Sequence, residues 1–312
     1  MNGSLRLDGP AWAMLVGLAI LWGGSFVLVE VILEEMPVIT LVALRVSLAA
    51  VTLWAAVALT GGPIPRRAEV WGAFIMLGVF NNLVPFSLIV WGQTAVTASV
   101  AAILNATTPL FTALFATVAL SDEKLTAQRA AGLGLGLLGV AVMIGPRAIL
   151  ALGSDIPHQL AVLGAAVSYG FAAVYARRFH RLGVTPMMVA TGQLTASSLI
   201  IVPVALGAYG VGVLASASIG AWVAVIALAC FATALAYILY FSILRRAGAT
   251  NVALVTVLVP LVAVLLGVIV LGEALGMLEL AGMALIFAGL ATIDGRLLPF
   301  LARRVGVGRH RA

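Results

Sequence analysis

The segment VAAILNATTPLFTALFATVALSDEKL, residues 100–125, predicts a long apolar helix that is broken by Pro109 and followed by Glu123. The same arrangement returns in VALVTVLVPLVAVLLGVIVLGEAL, residues 252–275, with Pro260 in its middle and a second glutamate after it. Proline removes a backbone donor and disturbs the contact four residues earlier, so each helix is expected to open locally. Two such copies, about 150 positions apart, indicate that the chain is a duplication.

The composition places the chain in a membrane. Hydrophobic residues make up 63% of the 312 positions and charged residues only 9%, against roughly 25% charged residues in a soluble domain. A soluble protein of this length cannot bury so much apolar surface, so most of it must face lipid. The first apolar run, 11–33, is too long for a secretory signal. The single cysteine, Cys230, argues against a disulfide framework or a cysteine metal cluster.

Apolar runs long enough to cross a bilayer recur along the whole chain. A spanning helix needs roughly 20 mostly apolar residues, and the connections between such runs are short and rich in Gly, Pro, Arg or Glu. We therefore predict an all-α integral membrane fold with ten transmembrane helices. The predicted spans are about 11–33, 37–60, 70–91, 95–120, 126–146, 158–179, 186–207, 219–243, 248–272 and 276–295.

The basic residues predict the orientation of these spans. With the amino terminus inside, fifteen of the 17 Lys and Arg residues fall in inside segments, Arg147 falls in an outside loop and Arg45 lies within a span. Inside loops of membrane proteins carry such an excess of positive charge. The net charge of +6 is therefore assigned to cytoplasmic loops, and both termini are expected in the cytoplasm.

The two halves align as repeats of five spans each. Matching the glutamates of the two copies also pairs Gly132 with Gly282 and Gly139 with Gly289. An odd number of spans forces the halves to insert in opposite orientations. The loop after span one is acidic and its counterpart after span six is basic, as an inverted repeat requires. The predicted units are a first repeat at 1–150, a second, inverted repeat at 151–295 and a basic cytoplasmic tail at 296–312.

The chain resembles the drug/metabolite transporter superfamily, in the branch with two EamA-type domains. The residues that carry the resemblance are LWGGSF at 21–26, Arg45, the Ala/Thr-rich span with Pro109, and Glu123 with its twin Glu273. Within this branch the chain is similar to bacterial exporters of amino acids and related metabolites, including the aromatic amino-acid exporter type. The resemblance implies a multi-pass carrier of the cell inner membrane.

Arg45 is the charged residue placed deepest in a predicted span, roughly 12 Å from its end at 1.5 Å per residue. It could meet a substrate carboxylate, or it could pair with Glu30 or with backbone carbonyls. In the second half it aligns near Gln193 and Leu194, so a substrate site built on Arg45 would be asymmetric.

Neutral polar and aromatic residues gather on the faces of several predicted spans, where polar groups are expensive to keep. They could line a central cavity built from both halves, or they could pack between helices through hydrogen bonds. With Arg45, the candidate substrate-binding residues are Trp22, Ser25, Asn82, Phe86, Asn105, Thr108, Thr112, Tyr169, Thr233, Tyr237 and Tyr240.

The prolines and glutamates of the duplicated spans have separate expected roles. Pro109 and Pro260 are candidate hinges that let half a helix gate the cavity, with a static kink as the alternative. Glu123 and Glu273 are expected to support the amino-terminal end of the next helix, where negative charge is favoured.

Span five contains a Gly132-x-x-x-Gly136 spacing, which lets membrane helices approach closely. We expect it to pack span five against span ten, with a dimer face as a second use. The chain is expected to be a monomer or a weak homodimer.

Several chemistries are missing from the sequence. It contains no metal-ligand cluster and no nucleotide-binding Gly-Lys loop, and Ser25 has no intramembrane His or Lys to activate it. We therefore expect no catalytic residue, no metal, no cofactor and no nucleic-acid partner. No Asp or Glu lies near a span's midpoint, so downhill export fits better than proton coupling.

We interpret the chain as an inner-membrane carrier that exports small metabolites, foremost amino acids and among them aromatic or hydrophobic ones. Export would proceed by alternating access through a midplane cavity. One alternative is a multidrug or cationic-compound exporter of the same fold, which an essential membrane carboxylate would favour. A further alternative is a membrane enzyme or scaffold without transport activity.

Overall fold

The computed structural model describes residues 8–119, 126–145 and 155–294, and every secondary-structure element in these ranges is helical. Eight helices are long and apolar enough to cross a bilayer, and two shorter apolar helices at the end of the described chain complete the set. The predicted all-α membrane fold with ten helices is confirmed. The helices are α1 (Gly9–Leu33), α2 (Val38–Thr60), α3 (Ala68–Gly92), α4 (Ala98–Ala119), α5 (Ala127–Ile144), α6 (Ile156–Ala176), α7 (Pro186–Tyr209), α8 (Ile219–Ala247), α9 (Val255–Leu271) and α10 (Met277–Asp294).

Irregular turns interrupt the helices at corresponding places in the two halves. A π-helical segment lies inside α3 (Val79–Leu83) and another inside its counterpart α8 (Ala227–Leu235). α4 is broken by a turn at 106–107, and a turn at 253–254 separates α9 from a short helix, Ala249–Val252. Irregular backbone at membrane depth is tolerated where it is buried in protein or lines a cavity.

The helix contacts follow a two-fold pattern that relates the halves. α1 packs against α8 and α9, and the corresponding helix α6 packs against α3 and α4. Three further contacts join counterparts directly, namely α2 with α7, α4 with α9 and α5 with α10. Exchanging each helix for its counterpart therefore reproduces these contacts. Because each half holds an odd number of helices, the halves cross the membrane in opposite directions.

Glycines at the contact between α5 and α10 obey the same symmetry. A Cβ atom placed on Gly132 would lie 2.7 Å from the carbonyl oxygen of Gly289, and one on Gly139 would lie 2.7 Å from that of Gly282. These separations are too short for any side chain, so only glycine allows this approach. The expected packing of span five against span ten is present, and the pairs 132–289 and 139–282 exchange with each other under the two-fold relation.

The ends of α1 are tied to the ends of α8. Asp8 caps the first turn of α1 by accepting from the Ala11 N–H at 3.0 Å, and it also pairs with Arg246 near the end of α8. At the other end of α1, the Glu35 carboxylate accepts from the N–H and hydroxyl of Ser218, the cap of α8. The hydrogen bond from Arg246 lowers the pKa of Asp8, and those from Ser218 lower the pKa of Glu35.

Candidate functional site

A cavity of about 760 Å³ lies between the halves, and eight of the ten helices line it. The helices α5 and α10, which pack on each other, contribute no lining residue. One end of the cavity is closed by Gln93, which is buried, with 3% of its surface exposed. The other end reaches Arg177 and His180, both exposed to solvent. The cavity therefore opens toward one side of the membrane.

The structure brings most of the predicted site residues to this cavity. Both duplicated prolines also lie in its wall. The predicted residues that line it are Trp22, Ser25, Arg45, Phe86, Asn105, Thr108, Tyr169, Thr233, Tyr237 and Tyr240, together with Pro109 and Pro260.

Arg45 is the cation that α2 places in the cavity wall, with only 7% of its surface exposed. Its Nε donates a hydrogen bond to Thr233 Oγ1 at 3.1 Å, and its guanidinium carbon lies 3.7 Å from the centre of the Phe86 ring. The carboxylate of Glu30 accepts instead from Gln93 Nε2 at 3.1 Å. Within the part of the chain that the structure describes, no carboxylate forms an ion pair with Arg45. Its buried charge is therefore not neutralised by these residues.

Aromatic rings form much of the remaining wall. The rings of Trp22 and Tyr240 lie 5.7 Å apart between α1 and α8, and Tyr237 and Phe241 stack at 6.1 Å. The Phe86 ring adds the face on which Arg45 lies. Such a wall suits a ligand with an apolar or aromatic body and a small number of polar groups.

Two predicted residues, Asn82 and Thr112, do not line the cavity. Asn82 is fully buried, and its Nδ2 donates to Ser197 Oγ on α7 at 3.2 Å. Thr112 donates to the Thr108 carbonyl at 3.0 Å, and its backbone packs on Gly170 of α6. The structure therefore places both residues at contacts behind the cavity wall, where the alternative interpretation, packing between helices, remains a prediction.

Three amide side chains in the wall were not predicted: Asn81, Gln93 and Gln193. The π turn of α3 explains the first, because its backbone bonds join residues five apart and bring Asn81 rather than Asn82 onto the face of Phe86. Gln193 lies near the position that aligns with Arg45 in the second half, but the alignment did not mark it as a site residue. No sequence pattern pointed to Gln93, which lies just after α3.

Hydrogen bonds seal the closed end of the cavity. Gln93 Nε2 donates to the Phe26 carbonyl at 2.8 Å as well as to Glu30, which joins α3 to α1. Glu273 accepts from the backbone N–H groups of Ala98 and Ser99 at 2.8 and 3.0 Å. It therefore caps α4 in the other half. The sequence had predicted that Glu273 supports the helix that follows it, and that prediction is wrong. Its twin Glu123 lies outside the described residues.

The prolines occupy different positions relative to the breaks. Pro109 lies in the first turn after the break at 106–107, where its missing N–H costs little. Pro260 lies inside α9, several residues past the turn at 253–254. Among the described residues no group of three or more His, Cys, Asp or Glu is arranged to hold a metal ion.

The sequence profile of the EamA-like transporter family matches this chain twice, at residues 10–145 and 157–293. The chain belongs to the EamA-like transporter family. The family confirms the resemblance inferred from the sequence and the expectation of a transporter rather than an enzyme. Each match covers five of the ten helices.

Several relatives resemble this EamA-like chain along nearly its whole length. The "Uncharacterized inner membrane transporter YedA" of Escherichia coli is 28% identical, over 93% of this chain and 92% of the relative. The "Probable amino-acid metabolite efflux pump" of Salmonella typhimurium is 29% identical, over 91% and 94%. The "Probable terminal-alkyne amino-acid exporter" of Streptantibioticus cattleyicolor is 26% identical, over 94% and 96%.

A solved crystal structure shares the fold of this EamA-like protein. It superimposes with a TM-score of 0.63 at 23% identity, covering 93% of this chain and 98% of the other. At this level of identity the likeness concerns the fold alone.

Proposed function

We propose that this transporter exports small carboxylate-bearing metabolites, foremost amino acids with aromatic or other apolar side chains, out of the cytoplasm. The observation that carries the proposal is Arg45, a buried cation in the cavity wall that is held by Thr233 and Phe86 and has no carboxylate partner among the described residues. Leaving a buried charge unpaired is costly. A substrate carboxylate would supply the missing charge, because a guanidinium binds a carboxylate through two parallel hydrogen bonds.

The cavity wall supports a substrate with an apolar body. Trp22, Phe86, Tyr169 and Tyr240 surround the space beside Arg45. Two relatives carry names that refer to amino acids, one as a metabolite efflux pump and one as an exporter. Among the described lining residues none is acidic, which disfavours the alternative of an exporter for cationic compounds.

The side on which the cavity opens supports loading of the substrate from the cytoplasm. The open end carries Arg177 and His180, and Arg67 and Arg178 lie close to it. The excess of basic residues supports a cytoplasmic location for this side and for both termini. The structure would then be the inward-facing state of an inner-membrane carrier.

Alternating access would proceed by motion of the two repeats, proposed at 1–150 and 151–295, about the site. Because one chain forms the whole cavity, the unit of transport would be a monomer, alone or in a weak homodimer.

Release from liposomes tests this proposal. Vesicles containing the purified protein would be loaded with labelled amino acids, cationic drugs or sugars and followed without ATP or a proton gradient. We expect release of amino acids, and much slower release from matched vesicles that contain the Arg45→Gln variant. Retention of all three classes would rule out the carrier interpretation, and selective release of the drugs would favour the multidrug alternative. Reporter fusions at each terminus, active only in the cytoplasm, test the orientation.

A further inference from the structure

A chain of hydrogen bonds connects α3, α7 and α8 at the cavity wall. Asn81 Nδ2 donates to Gln193 Oε1 at 3.0 Å and to Tyr237 Oη at 3.1 Å. The Tyr237 hydroxyl donates to Asn82 Oδ1 at 3.4 Å, and Asn82 Nδ2 donates to Ser197 Oγ at 3.2 Å. Asn81, Gln193 and Tyr237 line the cavity, whereas Asn82 and Ser197 are buried behind them.

The direction of every bond in this chain is set from its buried end. The Ser197 hydroxyl lies 3.0 Å from the Gly78 carbonyl and 2.8 Å from the Gln193 carbonyl. Carbonyls only accept, so the single hydroxyl proton is used there and Ser197 must accept from Asn82 Nδ2. Asn82 then presents Oδ1 to Tyr237, which must donate to it and accept from Asn81.

The consequence at the cavity is an oriented amide. Both protons of Asn81 Nδ2 are used inside the chain, on Gln193 and Tyr237. Its Oδ1 has no hydrogen-bond donor among the described residues, and it is not enclosed by protein as the Oδ1 atom of Asn105 is. Asn81 therefore offers the cavity an acceptor whose orientation cannot reverse without breaking the bonds behind it.

We propose that Asn81 is a specificity-determining residue that binds the α-ammonium group of the substrate; this inference rests on the function proposed above. Arg45 bonds to Thr233 and Asn81 bonds to Tyr237, four residues later on α8, so the two anchors contact neighbouring turns of the same helix. A zwitterion can then bind with its carboxylate on Arg45 and its ammonium on Asn81. A carboxylic acid without the amino group would leave the Asn81 acceptor unpaired, which is how a polar site rejects an analogue.

Binding of matched pairs to purified protein in detergent tests the proposal, because detergent removes leakage of the acids across a bilayer. The pairs are phenylalanine with 3-phenylpropionate and leucine with 4-methylpentanoate, each measured by direct calorimetry. We expect the wild type to bind each amino acid about tenfold more tightly than its acid. In Asn81→Leu, and in the smaller Asn81→Ser, the affinity for the amino acids should fall about tenfold, while the affinity for the acids should change less than threefold.

Two further variants separate recognition from packing. Gln128→Leu removes an amide that donates to the Thr292 carbonyl between α5 and α10, away from the cavity, and should leave the preference unchanged. Arg45→Gln should weaken the binding of the amino acids and of the acids by the same factor. Equal weakening of both members of each pair in the Asn81 variants, or no change in either, would overturn the role of Asn81 while leaving carboxylate binding at Arg45 intact. If the wild type binds none of the four compounds, the proposed function and this inference are overturned together.

Discussion

Arg45 is held by two neutral contacts, the Thr233 hydroxyl and the Phe86 ring, and neither removes its charge. The contacts fix the guanidinium plane and leave its two terminal nitrogens without a hydrogen bond to any described residue. A planar group held in this way is prepared for a carboxylate, because less conformational entropy is lost when the ligand arrives.

The geometry of Arg45 predicts a difference between Lys and Gln at this position. Arg45→Lys keeps the charge but loses the planar stacking and the paired hydrogen bonds, so we expect the Km for amino-acid efflux to rise about tenfold. Arg45→Gln removes the charge and should reduce efflux at least as much as Lys. Efflux from vesicles matched for protein content measures both. Arg246→Gln, which changes an exposed arginine outside the cavity, is the control, and unaltered efflux by Arg45→Lys would argue against carboxylate recognition.

Asp8 predicts a pH-dependent contribution to stability. Its pKa in the folded protein is lowered by the hydrogen bond from Arg246, so this stabilisation is present above the ordinary value of 3.8 and is lost as the pH falls through the lowered pKa. Asp8→Asn can still cap α1 but lacks the charge. We expect wild type and Asp8→Asn to differ in Tm in detergent near pH 6. The difference should close below pH 3.8, and a constant difference across this range would contradict the assignment.

At the scale of single elements, the duplicated spans α4 and α9 each combine a break with a proline, but the distance from the break to the proline differs. The turn at 106–107 comes just before Pro109, whereas the turn at 253–254 is separated from Pro260 by the first turns of α9. Inside α9 the proline removes the bond to the Thr256 carbonyl, at a point where both residues line the cavity. Bending of α9 would therefore alter the cavity wall directly.

Replacing Pro260 tests the hinge role. Pro260→Ala restores a backbone donor to α9 and should stiffen it, so we expect turnover to fall several-fold while the affinity for amino acids changes little. Pro109→Ala acts at a first turn that needs no such donor, so its effect on turnover should be smaller. The comparison is made by measuring the maximal rate and the Km of efflux for both variants. Wild-type flux in both would rule out a hinge at either proline.

At the scale of the whole molecule, the contact between α5 and α10 holds the two repeats together outside the cavity. Gly139→Leu places a side chain against the Gly282 carbonyl and should destabilise the protein by about 1–3 kcal/mol, as overpacking does. Gly134→Leu, on the exposed face of the same helix, meets no atom within 4 Å and should have little effect. Thermal unfolding in detergent compares the two variants, and an equal loss of Tm in both would show that the contact with α10 is not responsible.

Most of the fold was predictable because it rests on features that a single sequence displays. Apolar runs gave the ten helices, and the spacing of glycines and prolines gave the duplication. The position of Glu273 was predicted less well, because the helix that it caps belongs to the other half and comes near only in three dimensions.

The cavity was predictable only where helices are regular. Tyr237 and Tyr240 in α8 share a face by α-helical spacing, and both line the cavity. Asn81 was missed because a π turn shifts the face of α3 by one residue, and local sequence gives little sign of such a turn. Gln93 was missed because its role depends on Phe26 and Glu30 of another helix.

Because a two-fold relation connects the halves, the conformation that opens to the other side of the membrane can be inferred from this structure. The contact of α1 with α9 and that of α6 with α4 are one arrangement seen from opposite sides of the membrane. Giving each half the internal geometry of the other would close the arginine-rich mouth and uncover the end now sealed by Gln93. Arg45 aligns near Gln193 and Leu194, which are uncharged, so the helices would exchange arrangements while the anionic end of the substrate stayed on α2. One fixed anchor would then face each side of the membrane in turn.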